Sequence, residues 1–120
     1  MADPRSLDEA LPLKPIDFHI LLVLTDGALH GYGMVKEIEL RSEGRIRLEP
    51  GNLYRYLRRV VDEGWVEPAE RRDVEDGAGP RRRYYRVTPR GREVLRAEAM
   101  RMRSLVEAAA ARLALPPEGA

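Results

Sequence analysis

Behind Pro15, which a helix accepts in its first turn, the apolar side chains Ile16, Ile20, Val23 and Leu24 recur at intervals of three and four. The spacing predicts a first helix from about Pro15 to Thr25. After the turn-rich stretch DGALHGYG, Met34, Val35 and Ile38 mark the apolar side of a second helix over roughly Gly31 to Ser42. A short alternating piece, Arg45 to Leu48, leads to Pro50 and a third helix, where Leu53, Leu57, Val60 and Val61 stand at i, i+4, i+7 and i+8 and form one buried stripe. Gly64 stops it.

The period then changes. Trp65 and Val66 begin an extended segment and Arg82 to Val87 form another, with the Asp73 to Pro80 tract between them, so a hairpin with a long tip is expected. Alternation puts Arg81, Arg83 and Tyr85 on one face and Arg82, Tyr84 and Arg86 on the other, leaving open which tyrosine is inside. Thr88 supplies an N-cap hydroxyl and Pro89 a first turn, opening a last helix that runs to about Leu115, where Pro116 and Pro117 end it. Along that helix Leu95, Ala99, Met102, Val106, Ala109 and Leu113 step by four and three, a heptad-like seam that calls for a partner helix. Ser6 and Glu9 read as a capping box for a short N-terminal turn.

Three helices followed by a hairpin is the order of a winged helix-turn-helix. The expected fold is α+β and mostly helical: an N-terminal arm over 1–14, a DNA-binding domain over 15–88 with a two-stranded wing, a dimerisation helix over 89–115 and a tail over 116–120. In such a fold the third helix is the one offered to a major groove. Its outward side carries Asn52, Arg55 and Arg59 at i, i+3 and i+7, flanked by Tyr56 and Arg58, and asparagine and arginine can make paired hydrogen bonds to adenine and guanine edges. A solvated face is the competing reading, but a merely soluble helix interleaves acids with its bases, and Asn52 to Val61 has none. On the wing, Arg81, Arg82 and Arg83 suit phosphate or a minor groove.

Composition sharpens this and excludes other classes. The chain has 120 residues and a net charge of only +1, yet residues 81–96 carry seven arginines against one glutamate, so local patches outweigh the total. Lysine occurs only at Lys14 and Lys36; arginine's planar fork suits phosphate and guanine, although a GC-rich genome leaves the same bias. Without cysteine there is neither a disulfide framework nor a zinc ribbon, and His19 and His30 lack metal-ligand spacing, so no metal and no cofactor are expected. There is no glycine-rich phosphate loop or nucleophile elbow, and Ser6, Ser42 and Ser104 have no recognisable base nearby, so no enzyme is expected either. The longest apolar run, IDFHILLVL, is about half of a bilayer span of roughly 20 residues. Together with an N-terminal segment that lacks the pattern of a signal peptide, it points to a cytoplasmic protein without a membrane partner.

The pieces FHILLVLTDGALHGYGMVKEIE, LEPGNLYRYLRRVVDEGWVEP and GPRRRYYRVTPRGREVLRAEAMRM, with HGY, G-x-LY and YYR-x-T-x-x-G in this order, resemble the PadR family of transcriptional regulators over nearly the whole chain. The resemblance implies a homodimeric winged-helix repressor that binds an inverted-repeat operator in double-stranded DNA, with small-molecule effectors known for some members. By resemblance Tyr54 is a DNA contact. Asn52 and Arg55 stand where the family commonly has threonine and proline, so operator sequence does not carry over, and a C-terminal part reduced to one helix matches the short-tailed branch. Two other readings remain: a winged helix that docks an acidic protein partner, and a dimer interface in which Met100, Met102 and Phe18 wall an effector site.

Overall fold

The computed structural model describes residues 7–69 and 83–117. In chain order it contains α1 (Leu7–Ala10), α2 (Pro15–Val23) continued by a 3-10 turn (Leu24–Asp26), β1 (Leu29–His30), α3 (Gly31–Arg41), α4 (Pro50–Asp62), β2 (Val66–Ala69), β3 (Tyr84–Val87) and α5 (Pro89–Leu113). The apolar periods that predict helices fall inside α3, α4 and α5 and, for the first, inside α2 and the 3-10 turn that holds Leu24. Arg45–Leu48 forms no strand, although its alternation persists, with Ile46 and Leu48 half-buried and Arg45 and Arg47 exposed. Ser6, and with it the expected capping box, lies outside the described residues.

The helices meet over one core. Ile20, Leu21 and Leu24 from α2 and its continuation, Met34 and Ile38 from α3, Leu53, Leu57 and Val60 from α4, Val66 from β2 and Val94 from α5 are almost wholly withdrawn from solvent. Side chains of this size each contribute about 1.5–3 kcal/mol on burial.

β1 adds a third strand to the hairpin. The sheet order is β1-β3-β2, all antiparallel, with Leu29 opposite Tyr85, His30 opposite Tyr84 and Val66 opposite Val87. A two-residue strand is too short to leave a period in the sequence. Its presence makes β3 central, and this explains why both tyrosines are buried: Tyr85 lies in the main core, while Tyr84, on the opposite face, meets the His30 ring edge-on at 5.1 Å.

Thr88 ties the wing to α5. Its hydroxyl donates to the Gly64 carbonyl at 2.6 Å and accepts from the Gly91 N–H at 3.0 Å, while its own N–H donates to the Trp65 carbonyl at 2.9 Å. The T-x-x-G motif is thus an N-cap that also closes the turn between α4 and β2. A Cβ on Gly91 would sit 2.1 Å from the Trp65 carbonyl oxygen, so only glycine lets α5 come this close to β2.

The N-terminal segment is docked. Leu13 is buried, Leu7, Ala10 and Leu11 pack against the core, and the Leu13 N–H donates to the Glu98 carboxylate of α5 at 3.2 Å. Arg101 grips the same carboxylate with two hydrogen bonds of 2.7 Å.

Candidate nucleic-acid interface

The outward side of α4 begins with Pro50 in its first turn and with no acid there. With Leu53, Leu57 and Val60 turned into the core, helical geometry sends Asn52, Arg55 and Arg58 outward, and all three are exposed. Asn52 Oδ1 accepts from Arg55 Nη2 at 3.3 Å, and the Arg55 guanidinium lies 5.6 Å from the Tyr56 ring centre. Arg58 has no acid partner among the described residues. Asp62, also exposed, closes this face with a negative charge, so the cationic surface occupies the turns before it.

Two other members of the predicted set play packing roles as well. Tyr56 is half-buried against the core. Tyr54 is 44% exposed, and its hydroxyl covers the start of α3: a Cβ on Gly31 would stand 2.7 Å from Tyr54 Oη. Gly31 of HGY and Tyr54 of G-x-LY therefore form one contact, setting α3 against α4. His30 completes that corner as the N-cap of α3, its Nδ1 accepting from the Gly33 N–H at 3.0 Å, which requires an unprotonated Nδ1. Tyr32, 58% exposed, stacks near the His30 ring with Lys36 5.7 Å from its own ring centre, so an aromatic and a cation stand on α3 beside the His30 cap.

Arg59 departs from the sequence expectation. Instead of standing free beside Asn52, its Nη2 donates to Asp17 Oδ2 of α2, and the Arg59 side chain is 36% exposed against 2% for Asp17. The reason is position: Arg59 lies on the flank of α4 that faces α2, where a buried carboxylate attracts it. Asp17 shares the stripe of Ile20, Leu21 and Leu24 at i, i+3, i+4 and i+7, so an acid on a core-facing stripe was the signal in the sequence that a buried cation would meet it. Burial pushes the Asp17 carboxyl above its ordinary 3.8, with Arg59 and then Lys14 pulling the other way. Asp17 Oδ1 has no hydrogen-bond partner among the described residues.

Of the wing arginines, Arg81 and Arg82 lie outside the described residues. Arg83 is described and exposed just ahead of β3. Arg86, on the outer face, is held by Glu67 of the neighbouring strand at 2.7 Å.

The α5 seam also needs a correction. Leu95 is only 8% exposed and belongs to the core of its own domain, because the first turns of α5 lie on α2 and the sheet. Glu98 is still buried against residues 7–13, and beyond it the helix leaves the domain: Ala99 is exposed, Met102 and Ala109 are half-exposed, Val106 is 57% and Leu113 67% exposed, and Met100 and Leu105 add further open apolar surface. Phe18, by contrast, packs on the core from α2. A groove of about 480 Å³ is lined by Lys36, Glu37, Glu39, Leu40, Glu43 and Gly44 and touches none of Phe18, Met100 and Met102. No helix among the described residues is long and apolar enough to cross a membrane.

Comparison with known proteins adds to this geometry. Residues 20–97 match the family model described as the transcriptional regulator PadR-like family. An uncharacterized 37.1 kDa protein in transposon TN4556 of Streptomyces fradiae is 42% identical over 86 residues, which are 72% of this chain but 22% of that protein. The chain thus spans about a fifth of that relative's length. Among solved structures, a PadR family transcriptional regulator from Eggerthella lenta is 28% identical, with 82% of this chain and 80% of that one covered and a TM-score of 0.62. The fold is also similar to Bacillus subtilis PadR in complex with operator DNA, at 20% identity, a TM-score of 0.59 and coverage of 70% and 46%.

Proposed function

The chain belongs to the transcriptional regulator PadR-like family, and from that premise we propose that it binds DNA in a sequence-specific way as a homodimeric repressor of an inverted-repeat operator. The observation that carries this reading is the face of α4, where Asn52, Arg55 and Arg58 stand exposed, opposite a fully buried stripe, with no acid paired to them among the described residues. A guanidinium and a carboxamide held on one rigid helix suit base edges in a major groove. Tyr54 is exposed on the same helix and Tyr32 and Lys36 are exposed on α3, and Arg83 marks the wing's approach to phosphate; Arg81 and Arg82 are assigned the same task from sequence. The similarity to a structure of Bacillus subtilis PadR in complex with operator DNA supports DNA as the partner.

Two copies join through α5 beyond Glu98. Open apolar surface on Met102, Val106, Ala109 and Leu113, with Met100 and Leu105 beside it, suits helix pairing, and a two-fold dimer then presents two α4 helices to two half-sites. The protein acts on DNA in the cytoplasm, and a small molecule that alters the pairing of α5 would release it.

Operator selection from a random duplex pool, followed by titration, tests the reading. Specific affinity well above that for random duplex is expected, and Arg55→Ala is expected to cost about 1–3 kcal/mol and relax base preference at one position. Equal affinity for selected and random duplex overturns it. Sedimentation of Met102→Glu/Val106→Glu is expected to show monomers; a persistent dimer moves the interface elsewhere.

A further inference from the structure

Three arginines crowd the same helix, and only one is withheld. Arg55 and Arg58 are exposed, whereas Arg59 reaches back across its helix to Asp17, which is 1% exposed and sits on a different element. Asp17 also gains little from the arrangement, since one of its oxygens has no partner among the described residues. A buried carboxylate hydrogen-bonded to one cation through one oxygen is weak as a stabilising device, because apolar side chains of the same size often do as well. Such a pair does fix which way a guanidinium points. The long arginine side chain would otherwise extend along the flank of α4 that carries Asn52 at i−7, toward whatever nucleic acid meets Asn52 and Arg55.

We propose that Asp17 is a positioning residue that sets DNA specificity by holding Arg59 off the phosphate backbone. The inference rests on the DNA-binding reading of α4. A phosphate contact made by Arg59 would be blind to sequence and would raise affinity for every duplex alike, diluting the selection that Asn52 and Arg55 supply. Asp17 removes that contribution without removing the arginine, and it also ties the pitch of α4 to α2.

The test is the salt dependence of duplex binding. Each phosphate contact adds about 0.9 to the slope of log K against log salt concentration. For Asp17→Asn, which frees Arg59, the slope on random duplex is expected to steepen by about 0.9 and affinity at physiological salt to rise roughly fivefold, with a smaller ratio of specific to random binding. Arg59→Gln keeps a donor for Asp17 but carries no charge; alone it is expected to leave the slope unchanged, and added to Asp17→Asn to cancel the gain. A loss of stability alone would move melting temperature and leave these slopes where they are. If Arg59→Gln by itself flattens the slope by about 0.9, or shifts the preferred base at one operator position, Arg59 touches DNA and the proposal fails while the DNA-binding reading stands. If the wild type binds duplex with no salt dependence, that reading fails and this inference with it. Should Asp17→Asn not fold, the slope of Arg59→Gln still decides.

Discussion

Asp17 and Glu98 make a natural pair of opposites. Both are acids, both are almost fully buried, at 1% and 2% exposure, and each meets an arginine from a helix surface. Yet burial pushes the Asp17 carboxyl above its ordinary 3.8, whereas Glu98 is held below its ordinary 4.5. The difference is hydrogen bonding. Arg101 bonds both Glu98 oxygens and the Leu13 N–H adds a third bond, which together outweigh the penalty of desolvation. Asp17 receives Arg59 on one oxygen only, and desolvation wins. Glu98, satisfied on both oxygens, fastens the segment at Leu13 to α5; Asp17, with one oxygen unbonded among the described residues, does more to direct Arg59 than to fasten it.

The largest effects are expected from breaking each of the two buried pairs, at Arg59 for one and at Glu98 for the other. Arg59→Ala leaves the Asp17 carboxylate buried and unpaired and is expected to cost about 3 kcal/mol at neutral pH in urea denaturation, shrinking as acid supplies a proton instead. Glu98→Ala removes the anchor of the N-terminal segment and is expected to cost about 2 kcal/mol, with amide exchange of Leu13 accelerated. Equal and pH-independent losses from the two variants would show that the two acids are equivalent after all.

The pH dependence sharpens the comparison further, because the two acids contribute with opposite sign. Glu98, with its folded value lowered, contributes stability that is present above pH 4.5 and lost as pH falls through the folded value. Asp17, with its folded value raised, contributes stability that is present below pH 3.8 and lost as pH rises through the folded value. Acid titration of Glu98→Gln is therefore expected to show a shallower loss of stability than the wild type, and that of Asp17→Asn a steeper one. The smallest effect is expected for Asp17→Asn at neutral pH, about 1 kcal/mol or less, since the carboxylate gives up little there. A loss as large as that from Glu98→Ala would mean that Asp17 is a stabilising anchor too.

Much of the fold was legible. Pro15, Pro50 and Pro89 mark three helix starts, each in a first turn, and the apolar periods locate every long helix because core burial leaves its spacing in the chain. β1 was not legible, since two residues carry no period, and neither was the burial of both Tyr84 and Tyr85, which follows from β3 being flanked on both sides. Leu95 and Val106 fall on one heptad stripe, but one is core and the other is 57% exposed: the period records which side of α5 is apolar and not where α5 leaves the domain.

What the sequence determined by itself is the order of elements, the inward stripe of α4 and therefore the outward set that includes Asn52, Arg55 and Arg58, because helical spacing is a local property of the chain. What only the tertiary structure decided is which of those outward side chains are at liberty. Arg59 shares their spacing but lies against α2, where Asp17, 42 residues earlier, takes it. Contacts of that separation depend on how the helices are rotated about one another, and no local pattern encodes that angle.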